Sequence, residues 1–149
     1  MMITERSKSV IPFRPGDAKR VGEGCFYLDL IVWLNGDHVE MGDRVGFNYG
    51  CYVNGYGGLR IGDRTIVGPY VMIHTANHEM APERPIVDQG WTTREVRVGS
   101  DCWIGMGVSI LPGVTIGEPR SVSWLAVWTI VYGPKIARSP MTRPPKPLT

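Results

Sequence analysis

The sequence predicts an all-β chain wound as a parallel β-helix, and three observations carry that expectation. An aliphatic residue returns every sixth position, at Ile61, Val67 and Ile73 and again at Val98, Ile104, Ile110 and Ile116. Glycine follows most of them, and four places after each of the first six stands Thr65, Val71, Asn77, Cys102, Val108 or Val114, mostly small or apolar. No other period competes, because a helix would repeat near 3.6 residues and a half-buried strand near 2. Each six-residue step then reads as a short strand plus a corner, with equivalent steps stacked at about 4.8 Å.

Length and composition agree with one such domain. The chain has 149 residues, of which 43% are apolar, enough to enclose a core. Its 19 glycines and 12 prolines are numerous, but the glycines fall on the period and so mark corners rather than a linker. A net charge of +2 is too small for a nucleic-acid surface. Cys25, Cys51 and Cys102 are an odd number and far apart, with no zinc-like spacing; they read as buried small residues in a reducing compartment. No run approaches the roughly 18 apolar residues of a membrane span. The first residues, MMITERSKSV, lack the apolar centre of a secretory signal, so the expected location is the cytoplasm.

Taken in order, residues 1–20 have no period and contain Pro12 and Pro15; they are expected to form an irregular arm across the first coil. The β-helix domain is assigned to 21–118. Val21 to Cys25 fits one step, and the apolar run Leu28 to Leu34 suits a buried strand. Met41, Phe47 and Val53 give the first clear steps, after which Leu59 and Arg60 look like two extra residues before Ile61. Coils are thus expected at 41–58, 61–78 and 98–115, with Ile61 stacked between Met41 and Val98. Val98 lies 25 residues after Ile73, which is not a multiple of six, so 79–97 reads as a loop that leaves at His78 and returns at Val96. Structureless loops this long are more often functional than accidental. The beat fails after Glu118, where Arg120 occupies an inward place, and 119–149 is read as an atypical last coil and a basic, extended tail.

The candidates for chemistry are few. His78 stands at the base of the loop, where an imidazole with an ordinary pKa near 6.5 suits removal of a hydroxyl proton. A lone histidine is more often structural, and only position separates this one from that reading. His74 falls in register with Asn54, either as a column of polar corners or as part of a site. The Asn54 amide is a donor suited to a substrate or a developing oxyanion. Trp103, in DCWIGMG, either packs on the loop or offers a flat apolar wall to a ligand.

The stretches YVNGYGGLRIGDRTIVGPYVMIHTANH and VRVGSDCWIGMGVSILPGVTIGE, with PI and QG in the loop between them, resemble the left-handed β-helix hexapeptide-repeat acyltransferases. The matching branch contains maltose, galactoside, nodulation-factor and polysaccharide O-acetyltransferases, and the resemblance covers roughly 41 to 118. It implies a left-handed coil, a homotrimer, and acetyl-CoA as acyl donor in a groove between neighbours, with no metal. It also implies that a sugar or polysaccharide-precursor hydroxyl is the acceptor. By the same resemblance His78 is the general base, Asn54 an active-site asparagine, Trp103 the tryptophan of the family's WIG motif, and Gly105, Gly107 and Gly113 the corners that approach the pantetheine arm; from their positions His74 and Trp103 are assigned to substrate contact.

Family members usually continue into another glycine- and alanine-rich coil that helps bind coenzyme A; here PRSVSWLAV stands in its place. That departure keeps a second class in view, a catalytically inactive trimeric β-helix scaffold. A third class is a zinc enzyme like the γ-class carbonic anhydrases, because His38, His74 and His78 are spaced by 36 and 4 residues. Calorimetric donor binding separates the first two, and stoichiometric zinc marks the third.

Overall fold

The computed structural model describes residues 9–117 and the strand Ser121–Val122. Three parallel sheets form the walls of a triangular coil, each strand contributing two or three residues before the chain turns a corner. The chain enters through β1 (Val10–Pro12), β2 (Phe26–Leu28) and β3 (Val32–Leu34). The next turn is β4 (Val39–Met41), β5 (Gly46–Phe47) and β6 (Tyr52–Asn54), and the following one β7 (Leu59–Ile61), β8 (Ile66–Val67) and β9 (Met72–His74). A side ribbon of β10 (Ala76–His78) and β11 (Trp91–Thr93) intervenes. Winding resumes through β12 (Val96–Val98), β13 (Trp103–Ile104), β14 (Ser109–Ile110), β15 (Thr115–Ile116) and β16 (Ser121–Val122).

The six-residue beat becomes columns. Met41, Ile61, Val98 and Ile116 are partners in one sheet. Phe47, Val67, Ile104 and Val122 stack in the second, and Val53, Ile73 and Ile110 in the third. Ile61 therefore lies between Met41 and Val98 as the spacing requires. The side chains of this set from Met41 to Ile116, with Val45, Cys51, Val71, Cys102 and Val108, point inward and are almost wholly removed from water. Burial pushes the Cys51 thiol up to about 11, so it remains an uncharged packing group. Thr65 is buried too, and its hydroxyl is satisfied by donating to the Gly99 carbonyl at 2.8 Å and accepting from the Cys102 N–H at 3.2 Å.

The glycines after Met41, Ile61 and Val67 have a packing cause. At the corner between the first and second sheets, Asp63 Oδ1 accepts the Asp43 N–H at 2.9 Å, and Asp43 Oδ1 accepts that of Glu23 at 2.9 Å. A Cβ on Gly42 would collide with the Asp63 carboxylate, so this ladder of carboxylates needs a residue without one. Ser100 Oγ continues the ladder at 3.1 Å from the Asp63 N–H.

Several expectations are corrected. The arm holds regular structure, since β1 pairs antiparallel with β2. Phe13 from the same arm enters the open end of the coil, its ring centroid 4.8 Å from those of Tyr27 and Trp33. The run 28–34 is not one buried strand; it turns a corner at Leu30 (φ 65°), and Val32 and Leu34 then point outward. Leu59 and Arg60 are not extra, because Leu59 is fully buried between Val39 and Val96 and the spare residues are the turn before it. The chain leaves the coil after Thr75, which is buried where Asn77 was expected, and Asn77 is exposed on the ribbon. Return at Val96 is as expected. The beat persists to Val122, paired with Ile104; Arg120 and the tail after Val122 lie outside the described residues.

Candidate active site

The side ribbon carries the candidate His78. Its antiparallel register sets Ala76 opposite Thr93, Asn77 opposite Thr92 and His78 opposite Trp91. The Arg94 N–H bonds the Thr75 carbonyl at 3.0 Å at the base, and the Glu79 N–H bonds the Gly90 carbonyl at 2.9 Å at the far end. Beyond it the chain folds around Gln89, whose Oε1 accepts the Ala81 N–H at 2.7 Å while Nε2 donates to the carbonyls of Ala81 and Arg84 at 2.9 and 2.7 Å. One almost buried amide thus replaces the missing sheet pairing, and the excursion is a built element.

His78 is exposed, and its ring lies on that of cross-strand Trp91, centroids 3.7 Å apart and planes 32° apart. The indole limits where the imidazole points. Trp91 also closes a hollow of about 240 Å³ lined by Asn35, Asn54, Tyr56 and Ala76. Within it Asn54 has a defined orientation. Its Oδ1 accepts from Asn35 Nδ2 at 2.7 Å and from the Tyr56 N–H at 3.1 Å. A backbone N–H demands the oxygen there, so Nδ2 is the free face of the amide, with no partner among the described residues.

Thr75 links this corner to the coil by donating to the Asn54 carbonyl at 2.9 Å and accepting the Gly57 N–H at 2.7 Å. His74 pairs in register with Asn54, as the stacking predicts, and its ring meets Tyr52 edge-on at 6.1 Å. Its Nδ1 is buried and has no partner among the described residues; desolvation lowers its pKa from the ordinary 6.5. With the folded value below the unfolded one, the unfolded chain binds more protons in that interval. Folding is then favoured above about 6.5 and weakened as pH falls through that range. Thermal unfolding followed across this range should show His74→Gln losing less stability on acidification than the parent; equal slopes would remove His74 as the source.

The other candidates lie elsewhere. Trp103 is 52% exposed in the second sheet beside Ile66, whereas Asn54 and His74 end strands of the third. It does not pack on the ribbon's hollow. Gly105 and Gly107 form the corner between β13 and β14, with Gly107 at φ 70° and open space around it. Gly113 occupies the corner after β14, against the Arg94 side chain. The three glycines therefore divide between two corners. His38 donates from Nδ1 to the Tyr56 carbonyl at 2.8 Å and stacks on the Tyr56 ring, planes 12° apart. Among the described residues no group of three or more His, Cys, Asp or Glu side chains is placed to hold a metal. Sequence reasoning missed Asn35 and Tyr56, which no period marks, and the pairing of Trp91 with His78.

No protein-family model matches the chain. Nodulation protein L of Rhizobium leguminosarum bv. viciae is 41% identical over 80 residues, 54% of this chain and 42% of that protein. A maltose O-acetyltransferase from Clostridium difficile 630 superposes with a TM-score of 0.64 and 28% identity, over 70% of this chain and 55% of that one. The chain thus resembles the hexapeptide-repeat acyltransferases in sequence and shares their fold. Its coil is accordingly the left-handed parallel β-helix. A hexapeptide-repeat acetyltransferase from Vibrio cholerae matches at TM-score 0.63 and 25% identity, over 71% of this chain and 60% of that one. That Vibrio protein has also been solved with acetyl-CoA. This hexapeptide-repeat chain spans about half the length of the curated relatives it matches. Among its described residues no helix is long and apolar enough to cross a membrane.

Proposed function

We propose that the chain transfers an acetyl group from acetyl-CoA to a hydroxyl of a sugar or polysaccharide precursor, with His78 as general base. The observation that carries this reading is the pairing of His78 with Trp91 on a ribbon whose indole also walls the Asn54 hollow. His78 would take the acceptor's proton as its oxygen attacks the thioester carbonyl, and Asn54 Nδ2 is the donor available to the developing oxyanion. The thiolate of coenzyme A leaves and takes up a proton. His74 and Trp103 are assigned to substrate contacts and Gly105, Gly107 and Gly113 to the donor groove.

A homotrimer accounts for the separation of Trp103 from the ribbon, because a neighbour's second sheet would bring its Trp103 to the groove. The outward surfaces support that assembly. Val32, Leu34 and Met72 on the third sheet and Ile66 and Trp103 on the second are at least two-fifths exposed, an apolar display larger than an isolated prism needs. The remaining sheet carries Glu40, Arg60 and Arg97 outward and suits water. Three buried free thiols fit the reducing cytoplasm, where acetyl-CoA is also available.

Titration of the purified chain with acetyl-CoA in a calorimeter, after its mass in solution is known, tests the donor. Saturable binding near one site per subunit is expected. A folded trimer that takes up no acetyl-CoA would overturn the transferase reading.

A further inference from the structure

Resting on that reading, we infer that Asn35 is a positioning residue that aims the Asn54 Nδ2 donor into the hollow, and that the entry arm holds Asn35 in place. Asn35 follows Leu34, which pairs with Asn54 across the third sheet. Its Nδ2 donates to Asn54 Oδ1 at 2.7 Å, and the Tyr56 N–H donates to the same oxygen at 3.1 Å. The two ends of a carboxamide are similar in shape, but only the oxygen can receive both donors. A flipped Asn54 would set its NH₂ against two donors and turn its oxygen into the hollow, where a developing oxyanion would be repelled. The Tyr56 N–H alone leaves the amide free to swing about one contact. The second donor, from Asn35, removes that freedom.

The reach of Asn35 depends on its backbone. It stands at φ 55° and ψ 47°, a left-handed conformation tolerated best by glycine, asparagine and aspartate, and its carbonyl accepts the His38 N–H at 3.1 Å across the 3-10 turn Gly36–His38. Both flanks of the turn are clamped. On one, the Gly55 N–H bonds the Leu34 carbonyl at 2.9 Å, and a Cβ on Gly55 would fall 2.8 Å from the Asn35 carbonyl oxygen. On the other, the Lys19 N–H from the arm bonds the Gly36 carbonyl at 2.9 Å, and a Cβ on Gly36 would overlap the Asp17 carbonyl oxygen. Trp33 Nε1 donates to that same Asp17 oxygen at 2.8 Å. Arm, turn and Asn54 amide thus form one connected series. Asn35 itself is exposed, so water can replace its bond to Asn54 at little cost to the fold, and what the bond supplies is orientation.

The test is a double-substitution cycle on the full chain, with acetyl-CoA and a panel of neutral mono- and disaccharides. Asn35→Gly removes the donor and keeps the backbone conformation; Asn35→Asp replaces the donor by an acceptor that draws Asn54 Nδ2 away from the hollow. Loss of one oxyanion donor costs about 10²- to 10³-fold in kcat, so Asn35→Asp should lower kcat by at least about tenfold and Asn35→Gly by about fivefold, with KM for acetyl-CoA within about threefold of the parent. In an Asn54→Ala background Asn35→Gly should change kcat by less than about twofold, because the group it acts through is gone. Thermal unfolding close to that of the parent is expected for both variants and controls for folding. Equal losses for Asn35→Gly in the two backgrounds, or near-parent kcat in either Asn35 variant, overturn the positioning role and leave the transferase reading intact. Should the parent acetylate no sugar, the transferase reading fails on this panel, and the ¹⁵N–¹H signals of the Asn54 side-chain amide, assigned by their absence in Asn54→Ala, decide the role of Asn35 separately. A shift of those signals in Asn35→Asp supports the hold on Asn54, and unchanged signals overturn it.

Discussion

Replacing His78 by alanine is expected to lower kcat for acetyl transfer by about 10²- to 10⁴-fold, the usual contribution of a positioned general base. The substitution should leave the fold alone. His78 ends β10, its side chain is exposed, and the ribbon is held by main-chain pairing and by the Gln89 amide, none of which uses the imidazole. What is lost is a proton acceptor held against Trp91. Steady-state kinetics with acetyl-CoA and the best sugar of the panel would measure it, with thermal unfolding as the control for folding. Because the donor binds elsewhere in the proposed groove, KM for acetyl-CoA should change less than threefold. Near-normal turnover by His78→Ala would remove the general-base assignment, whatever family the chain belongs to.

The coil was legible because its period is a packing requirement. Each inward residue recurs at the same angle around the prism, so Met41, Ile61 and Val98 announce their column before any coordinates exist. The corner glycines were legible for the same reason, as at Gly42 below Asp63. The site was legible only in part. His78, His74 and Asn54 stood out because they break the apolar or glycine expectation at known phases, and the His74–Asn54 register followed from the stacking. Asn35 and Tyr56 gave no such signal: they sit in turns whose length varies, and what brings them to the hollow is a bond from Asn35 to Asn54 across 19 residues. The exit point was misplaced because the period counts residues, while the chain leaves where Thr75 stops pairing with the coil and starts holding Asn54 and Gly57 with its hydroxyl. The arm was misread because its strand β1 has a proline at its end and a partner on the coil's edge.

That arm leads to the largest expected loss of stability, from Phe47→Ala. Phe47 is fully buried, and its ring meets Phe13 at 5.9 Å and Trp33 at 5.5 Å, both edge-on. These rings fill the coil's first turns, and the arm is tied down where Trp33 Nε1 donates to the Asp17 carbonyl at 2.8 Å. Truncating a buried phenylalanine costs about 3–5 kcal/mol, from lost transfer energy and the cavity left behind. Collapse is restricted here because the neighbouring Val67 and Ile104 are fixed in their column by sheet pairing. Denaturant unfolding at constant protein concentration should show that loss, with Tm lower by roughly 10 °C. Val87→Ala, at an 86% exposed position on the excursion, provides the contrast and should change stability by less than about 0.5 kcal/mol. If Phe47→Ala cost no more than Val87→Ala, the aromatic closure would not be holding the arm, and the coil's open edge would need another cover to avoid pairing with other chains.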